Sequence, residues 1–292
     1  MFVNNMKLQL NLMFKKKSFQ FIFTLLMLYA VVVNLDYVYK SLGKDISLIQ
    51  SSSNIHILGG DGSLWTFFEQ AFPFIVVFPY AFSYFSDQVN NTQFLLQIRG
   101  SRKYYYLAQS ITTFIGGFII IFIPFMINFA LNLLVFANNG NYYNDVTRFD
   151  INYCWNVLGS NIMGEVYTRG IFLKYLFIYH PNIYGFIYIL LASLLSGLLC
   201  LFSYSMSFFF KSFKIMIFLP VYVMVQILNS INSVFVHKWS GKFKFINLRL
   251  TDYISYSTMR VGKVYLLFLI FILLVFLVSI SLIRVKIKSD ER

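Results

Sequence analysis

PFIVVFPYAFSYFSDQVNNTQFLLQIRGSRKYYY, residues 73–106, decides how this chain is read. An apolar run carrying Pro73 and Pro79 gives way at Ser86 to a polar interval. At Tyr104 an apolar run resumes, and it meets no charge before Asp145. The interval is too long for a tight turn. Its amides alternate with Phe94, Leu95, Leu96 and Ile98, which is the pattern of a short amphipathic helix at a membrane surface. The organising element is therefore a hairpin of two apolar helices with a polar tip, and the tip is a natural place for another protein to apply force.

Composition gives the class to which the hairpin belongs. The chain is 58% hydrophobic and 20% aromatic but only 12% charged, and several stretches reach the roughly 20 apolar residues that span a bilayer. These values predict an all-α integral membrane protein. In a soluble protein a net charge of +13 would point to nucleic acid. Here most of the basic residues fall at helix ends and in short loops, where they orient the chain, so no nucleic acid is expected as a partner.

Working outward, the pattern predicts six transmembrane helices, at about 18–39, 64–85, 104–136, 183–210, 215–236 and 264–283. Residues 1–17 mix Lys7 and Lys15–Lys17 with apolar side chains and predict an N-terminal interfacial helix in contact with membrane lipid. The run after Ser18 leads to Asn34 and Asp36 rather than to a small-residue cleavage site, so it reads as a retained span. Pro73 and Pro79 predict a kinked or locally unwound second helix. The third, at 1.5 Å per residue, is roughly 50 Å long against about 30 Å of hydrocarbon. It must tilt, bend at Gly116, Gly117 or Pro124, or project beyond the membrane. In the fourth, Gly185, Ala192, Ser193, Ser196 and Gly197 permit close approach of a neighbour. Arg284, Lys286 and Lys288 are read as the stop of the sixth. Outer loops are expected at 40–63, 137–182 and 237–263. The triple lysine and the basic end after Ile283 set both termini in the cytoplasm of a multi-pass cell-membrane protein.

Chemistry-bearing patterns are sparse. GGDGS at 59–63 lacks the following Gly-Lys-Ser/Thr of a phosphate loop, so the chain carries no ATP site of its own. His56, His180 and His237 lie far apart, without ligand spacing, and no metal or catalytic residue is assigned. Cys154 and Cys200 fall in an outer loop and inside a span, which keeps them apart. Glu69 is the acidic residue well inside a predicted span, and an intramembrane carboxylate is a functional candidate, here for a substrate path or for structural pairing. Its closeness to Trp65 also fits an ordinary interfacial position.

FPFIVVFPYAFSYFSDQ in the second helix, RGSRKYYYLAQS opening the third and HPNIYGFIYILLASLLSGLLCLFSYSMSFFFK through the fourth give the chain a resemblance to a known family. It resembles the permease subunit of an ABC-2 type transporter, in particular the six-helix permeases of Gram-positive bacteria, over nearly the whole of residues 1–292. It departs from them in having Asp87 where members commonly have Glu, and Gln109 near a position that is often Lys. The resemblance implies a dimer of permease subunits, homo- or heteromeric, served by a separate ABC ATPase subunit. ATP and Mg would be held on that partner, and no cofactor in this chain. The interval 88–102 would then be the cytoplasmic coupling helix between helices 2 and 3. Phe94, Leu95 and Ile98 would supply apolar docking, while Arg99, Arg102 and Lys103 would steer or pair. The implied activity is export of a peptide, drug-like or lipid-like substrate. Two other readings stay open: a membrane sensor or immunity protein that binds a peptide through its outer loops, and a secondary transporter, for which no internal repeat is found.

Overall fold

A computed structural model describes residues 2–44, 52, 63–89, 102–136, 173, 176, 180–209, 215–239, 250 and 264–291. Eight helices, and no strand, account for the regular structure among the described residues. They are α1 (Phe2–Lys15), α2 (Lys17–Ser41), α3 (Ser63–Val77), α4 (Ser83–Val89), α5 (Arg102–Val135), α6 (Pro181–Met206), α7 (Ile215–Trp239) and α8 (Val264–Glu291). Of these, α2, α5, α6 and α8 are long and apolar enough to cross a membrane; α3 and the apolar part of α7, Ile217–Asn232, are shorter. The protein is thus a membrane-embedded helical protein. The expected outer loops fall largely outside the described residues.

The longest helix, α5, is the spine. It packs most extensively on α6, next on α2 and α1. Small residues make the α5–α6 crossing possible. Gly117 faces Ser196, Gly197 and Cys200, and a Cβ placed on Gly117 would lie 2.6 Å from Cys200 Cβ and 2.9 Å from the Ser196 carbonyl oxygen. A Cβ on Gly197 would lie 2.9 Å from the Phe114 carbonyl oxygen. The close approach lets Ser196 Oγ donate to the Gly117 carbonyl at 2.7 Å, the arrangement by which small residues join membrane helices.

Amides tie α5 to α2. Asn128 Nδ2 donates to the Ala30 carbonyl at 2.7 Å, Asn132 Nδ2 to Asn128 Oδ1 at 3.1 Å, and Asn34 Nδ2 to Asn132 Oδ1 at 2.6 Å. All three asparagines are buried. Interhelical bonds of this kind contribute about 0.5–2 kcal/mol each. Asn128→Ala is expected to lower the midpoint of SDS-driven unfolding by an amount corresponding to about 1–2 kcal/mol. Because the ladder is shared, Asn128→Ala and Asn132→Ala together are expected to cost less than the sum of the two; strict additivity would show that the ladder does not act as a unit.

The expected second span is two helices. Between α3 and α4 the chain turns at Phe78–Phe82, around Pro79, which has no N–H to give. Neighbours satisfy the opened backbone: Ser18 Oγ donates to the Pro79 carbonyl at 3.2 Å. Pro73 stays inside α3. Tyr80, at the turn, donates its hydroxyl to Gln9 Oε1 at 2.8 Å, and the Lys16 ammonium lies 5.1 Å from its ring centre.

The two chain ends both pack on the bundle. Helix α1 lies against α5 and α2 through one face. Phe2 lies beside Tyr104, with ring centres 6.1 Å apart, and Met13 packs on Gly116, so α1 runs alongside the N-terminal half of α5. The reason is its own face: Gln9 and Met13 are buried, whereas Val3, Leu8, Leu12 and Phe14 are exposed. The helix that holds the sixth predicted span, α8, runs on past Arg284, Lys286 and Lys288 to Glu291. No Gly or Pro interrupts it there, and Lys286 pairs one turn on with Asp290 at 2.8 Å.

Candidate functional site

Both ends of the amphipathic interval enter one polar cluster. On α4, Ser83 and Asp87 are one turn apart; on α5, Tyr105 and Gln109 are one turn apart, so each pair presents a single face. Asp87 Oδ2 accepts from the Tyr105 hydroxyl at 2.8 Å and from Gln109 Nε2 at 3.1 Å. The same Gln109 nitrogen donates to Ser83 Oγ at 3.0 Å, and Gln109 Oε1 accepts from the Tyr204 hydroxyl of α6 at 3.1 Å. Gln109 and Tyr204 are wholly buried. One neutral amide therefore uses both N–H groups and its oxygen to join α4, α5 and α6. Asp87 and Gln109 are thus direct partners.

An aromatic layer backs the polar one. Tyr84 lies edge-on to Phe208 at 4.8 Å between ring centres, and Tyr204 to Phe208 at 5.0 Å; such edge-to-face pairs add about 0.5–1.5 kcal/mol each beyond burial. Ile283 and Ile287 of α8 complete this buried group. Beyond it, the end of α8 is pinned to the start of α5. Asp290 accepts from the Tyr106 hydroxyl and from the Lys286 ammonium through its carboxylate, and from the Arg102 guanidinium through its backbone carbonyl. Both ends of the chain thus meet the N-terminal end of α5, Phe2 at Tyr104 and Asp290 at Tyr106.

Of the residues expected to touch a partner, Arg102 and Lys103 open α5 and are exposed, with Arg102 joined to α8. Phe94, Leu95, Ile98 and Arg99 lie outside the described residues, as does the rest of 90–101. Glu69 is elsewhere, in a cleft of about 500 Å³ between α3 and α7. Gln70, Gln226 and Asn229 line that cleft with it, and Phe74 and Tyr222 form one wall. The Phe74 ring stacks on Phe218 at 4.0 Å, which fixes the wall from below. A carboxylate and three amides facing one another between apolar helices can accept and donate hydrogen bonds to a polar solute.

Tyr105, Tyr106, Tyr204 and Asp290 did not emerge from the sequence as site residues. Their signal is polar pairs one turn apart at the ends of apolar helices, Tyr105 with Gln109 and Lys286 with Asp290. That spacing marks a face without naming what it meets. The arrangement is mechanical: donors and acceptors are matched across four helices around the two roots of a single segment. No family model, no curated protein and no solved structure matches the chain.

Proposed function

We propose that this chain is the transmembrane permease subunit of an ATP-driven transporter, working as a dimer with a separate ATP-binding subunit that engages residues 88–102. The observation that carries the reading is the clasp at the roots of that segment. Asp87 just before it and Tyr105 and Gln109 just after it are bonded to each other, and through Tyr204 and Asp290 to α6 and α8. A push on the segment would therefore move α4, α5, α6 and α8 together and would not be absorbed by a loose loop. Six membrane-crossing segments, with both termini on the cytoplasmic side, fit the meeting of the two chain ends at one end of α5. Transport alternates access to a path between subunits, and the Glu69 cleft is its candidate polar lining in this subunit.

Co-purification tests the reading. The double variant Arg99→Glu, Phe94→Ser is expected to lose a co-expressed ATP-binding subunit, by tenfold or more in recovered stoichiometry, while still eluting as a folded membrane protein. Undiminished recovery of the ATPase, with undiminished activity, would remove the coupling assignment.

A further inference from the structure

Packing leaves a second cavity, apart from the Glu69 cleft. Helix α8 rests mainly on α6 and touches α5 more lightly, and between α5 and α8 lies a groove of about 420 Å³. Its α5 wall is Leu107, Ile111 and Phe114, successive positions on one helical face. Its α8 wall is Phe276, Ile280, Ile283 and Ile287, again one face, and Leu201 of α6 lines it too. Nearly every atom lining it is apolar. Ser110 of α5 and Arg284 of α8 are the polar residues along it, and the Arg284 side chain is exposed.

Size, shape and charge point to one kind of occupant. From Phe276 to Ile287 the α8 wall is about 16 Å long at 1.5 Å per residue. The hydrocarbon of one bilayer leaflet is about half of 30 Å thick. A single extended acyl chain matches that length, and the chain lies parallel to the helices, as lipid does. Arg284 stands in the C-terminal half of the α8 wall, between Ile283 and Ile287, and a headgroup would sit on that side. Asp290, the nearest acid along α8, is already engaged by Lys286 and Tyr106. Among the described residues Arg284 forms no hydrogen bond or ion pair. Arg284 can extend along the groove and place its guanidinium at the headgroup level, where a phosphate takes two parallel N–H donors. Exposed Lys288, one turn further on, adds positive charge beside it.

We infer that the groove between α5 and α8 is a binding site for one anionic phospholipid, with an acyl chain between the two helices and the headgroup phosphate on Arg284. This site is separate from the Glu69 cleft and does not depend on the transport reading. A lipid held there would bridge α5 to the end of α8, beside the Asp290 clasp.

The test uses the full chain in nanodiscs of phosphatidylcholine mixed equally with phosphatidylglycerol, then released into the gas phase for native mass spectrometry. The wild type is expected to keep one phosphatidylglycerol per chain, about fivefold in preference to phosphatidylcholine. Arg284→Gln is expected to reduce that preference to near parity, and Arg284→Lys to retain most of it. Ile111→Trp, which fills the groove and leaves the arginine in place, is expected to lose the retained lipid of either headgroup. SDS-driven unfolding of each variant checks that it is folded. No headgroup preference in the wild type, an unchanged preference in Arg284→Gln, or lipid retained by folded Ile111→Trp would each overturn the assignment. So would the groove being occupied by a second copy of the chain, read as a dimer that Ile111→Trp dissociates.

Discussion

Gly117→Leu is expected to yield almost no folded protein. The glycine sits where α5 and α6 touch backbone to backbone, and the atoms that a Cβ would meet are the Ser196 carbonyl oxygen at 2.9 Å, Gly197 Cα at 3.1 Å and Cys200 Cβ at 2.6 Å. None is the far end of a flexible side chain, so accommodation requires the helices to separate. Separation breaks the Ser196–Gly117 bond and opens the most extensive helix pair among the described residues. Overpacking alone costs about 1–3 kcal/mol, occasionally more, and four extra carbons in this crossing place the effect beyond that range. Gly116 supplies the control. The nearest atom to its Cβ position is the Met13 sulfur at 2.7 Å, on a side chain with three rotatable bonds. Gly116→Ala is therefore expected to cost less than Gly117→Ala. Size-exclusion elution in mild detergent, followed by SDS-driven unfolding, reads the series. A Gly117→Leu protein that elutes and unfolds like the wild type would show that the crossing is not as close as described.

Asp87→Ala is expected to separate assembly from activity. The carboxylate accepts from Tyr105 and Gln109; its removal strands the Tyr105 hydroxyl and one N–H of Gln109 beside a buried aromatic layer. Each stranded donor costs about 1–3 kcal/mol, enough to favour a state in which α4 and α5 part. The segment they carry would remain intact. On the proposed function, the variant therefore still recovers the ATP-binding subunit, but ATP hydrolysis by the reconstituted complex falls by about tenfold or more. Asp87→Asn keeps an acceptor oxygen and is expected to retain much of the wild-type rate. Loss of the ATPase from the complex in Asp87→Ala, or full activity in it, would place the clasp outside the coupling path.

What the sequence made legible was what is local and periodic. Apolar runs marked the helices to within a few residues, Pro79 marked the break, and the glycine–serine positions of α6 marked a close-packed face before its partner was known. Long-range pairing was not legible. Nothing in the composition of residues 102–109 says that Gln109 meets Asp87 or that Asp290 returns to Tyr106, because hydrogen-bond partners across separate helices leave no spacing in the chain. The length of α8 beyond the predicted span was hidden for a related reason. Charges after Ile283 look like a boundary to a membrane, yet to a helix they are an i to i+4 pair that extends it. Glu69 could be recognised alone, but the amides of α7 that face it come from more than 150 positions later. Helix α1 shows both sides of this. Its amphipathic face was plain, and the protein surface that receives it was hidden.

That docking of α1 also sets an order of events during synthesis. Gln9 precedes its partner Tyr80 by 71 positions, and Met13 packs on a helix that begins later still. At roughly 5–20 residues per second, the helix waits for several seconds or more before its slot exists. Over that interval a segment that mixes Lys7 and Lys15 with exposed Leu8, Leu12 and Phe14 has the bilayer surface as its resting place. That amphipathic character keeps α1 at the membrane and ready to pack when α5 emerges. Slowing translation after Tyr106 should prolong that waiting state, and the nascent chain would carry its N-terminus on the lipid until α5 is complete.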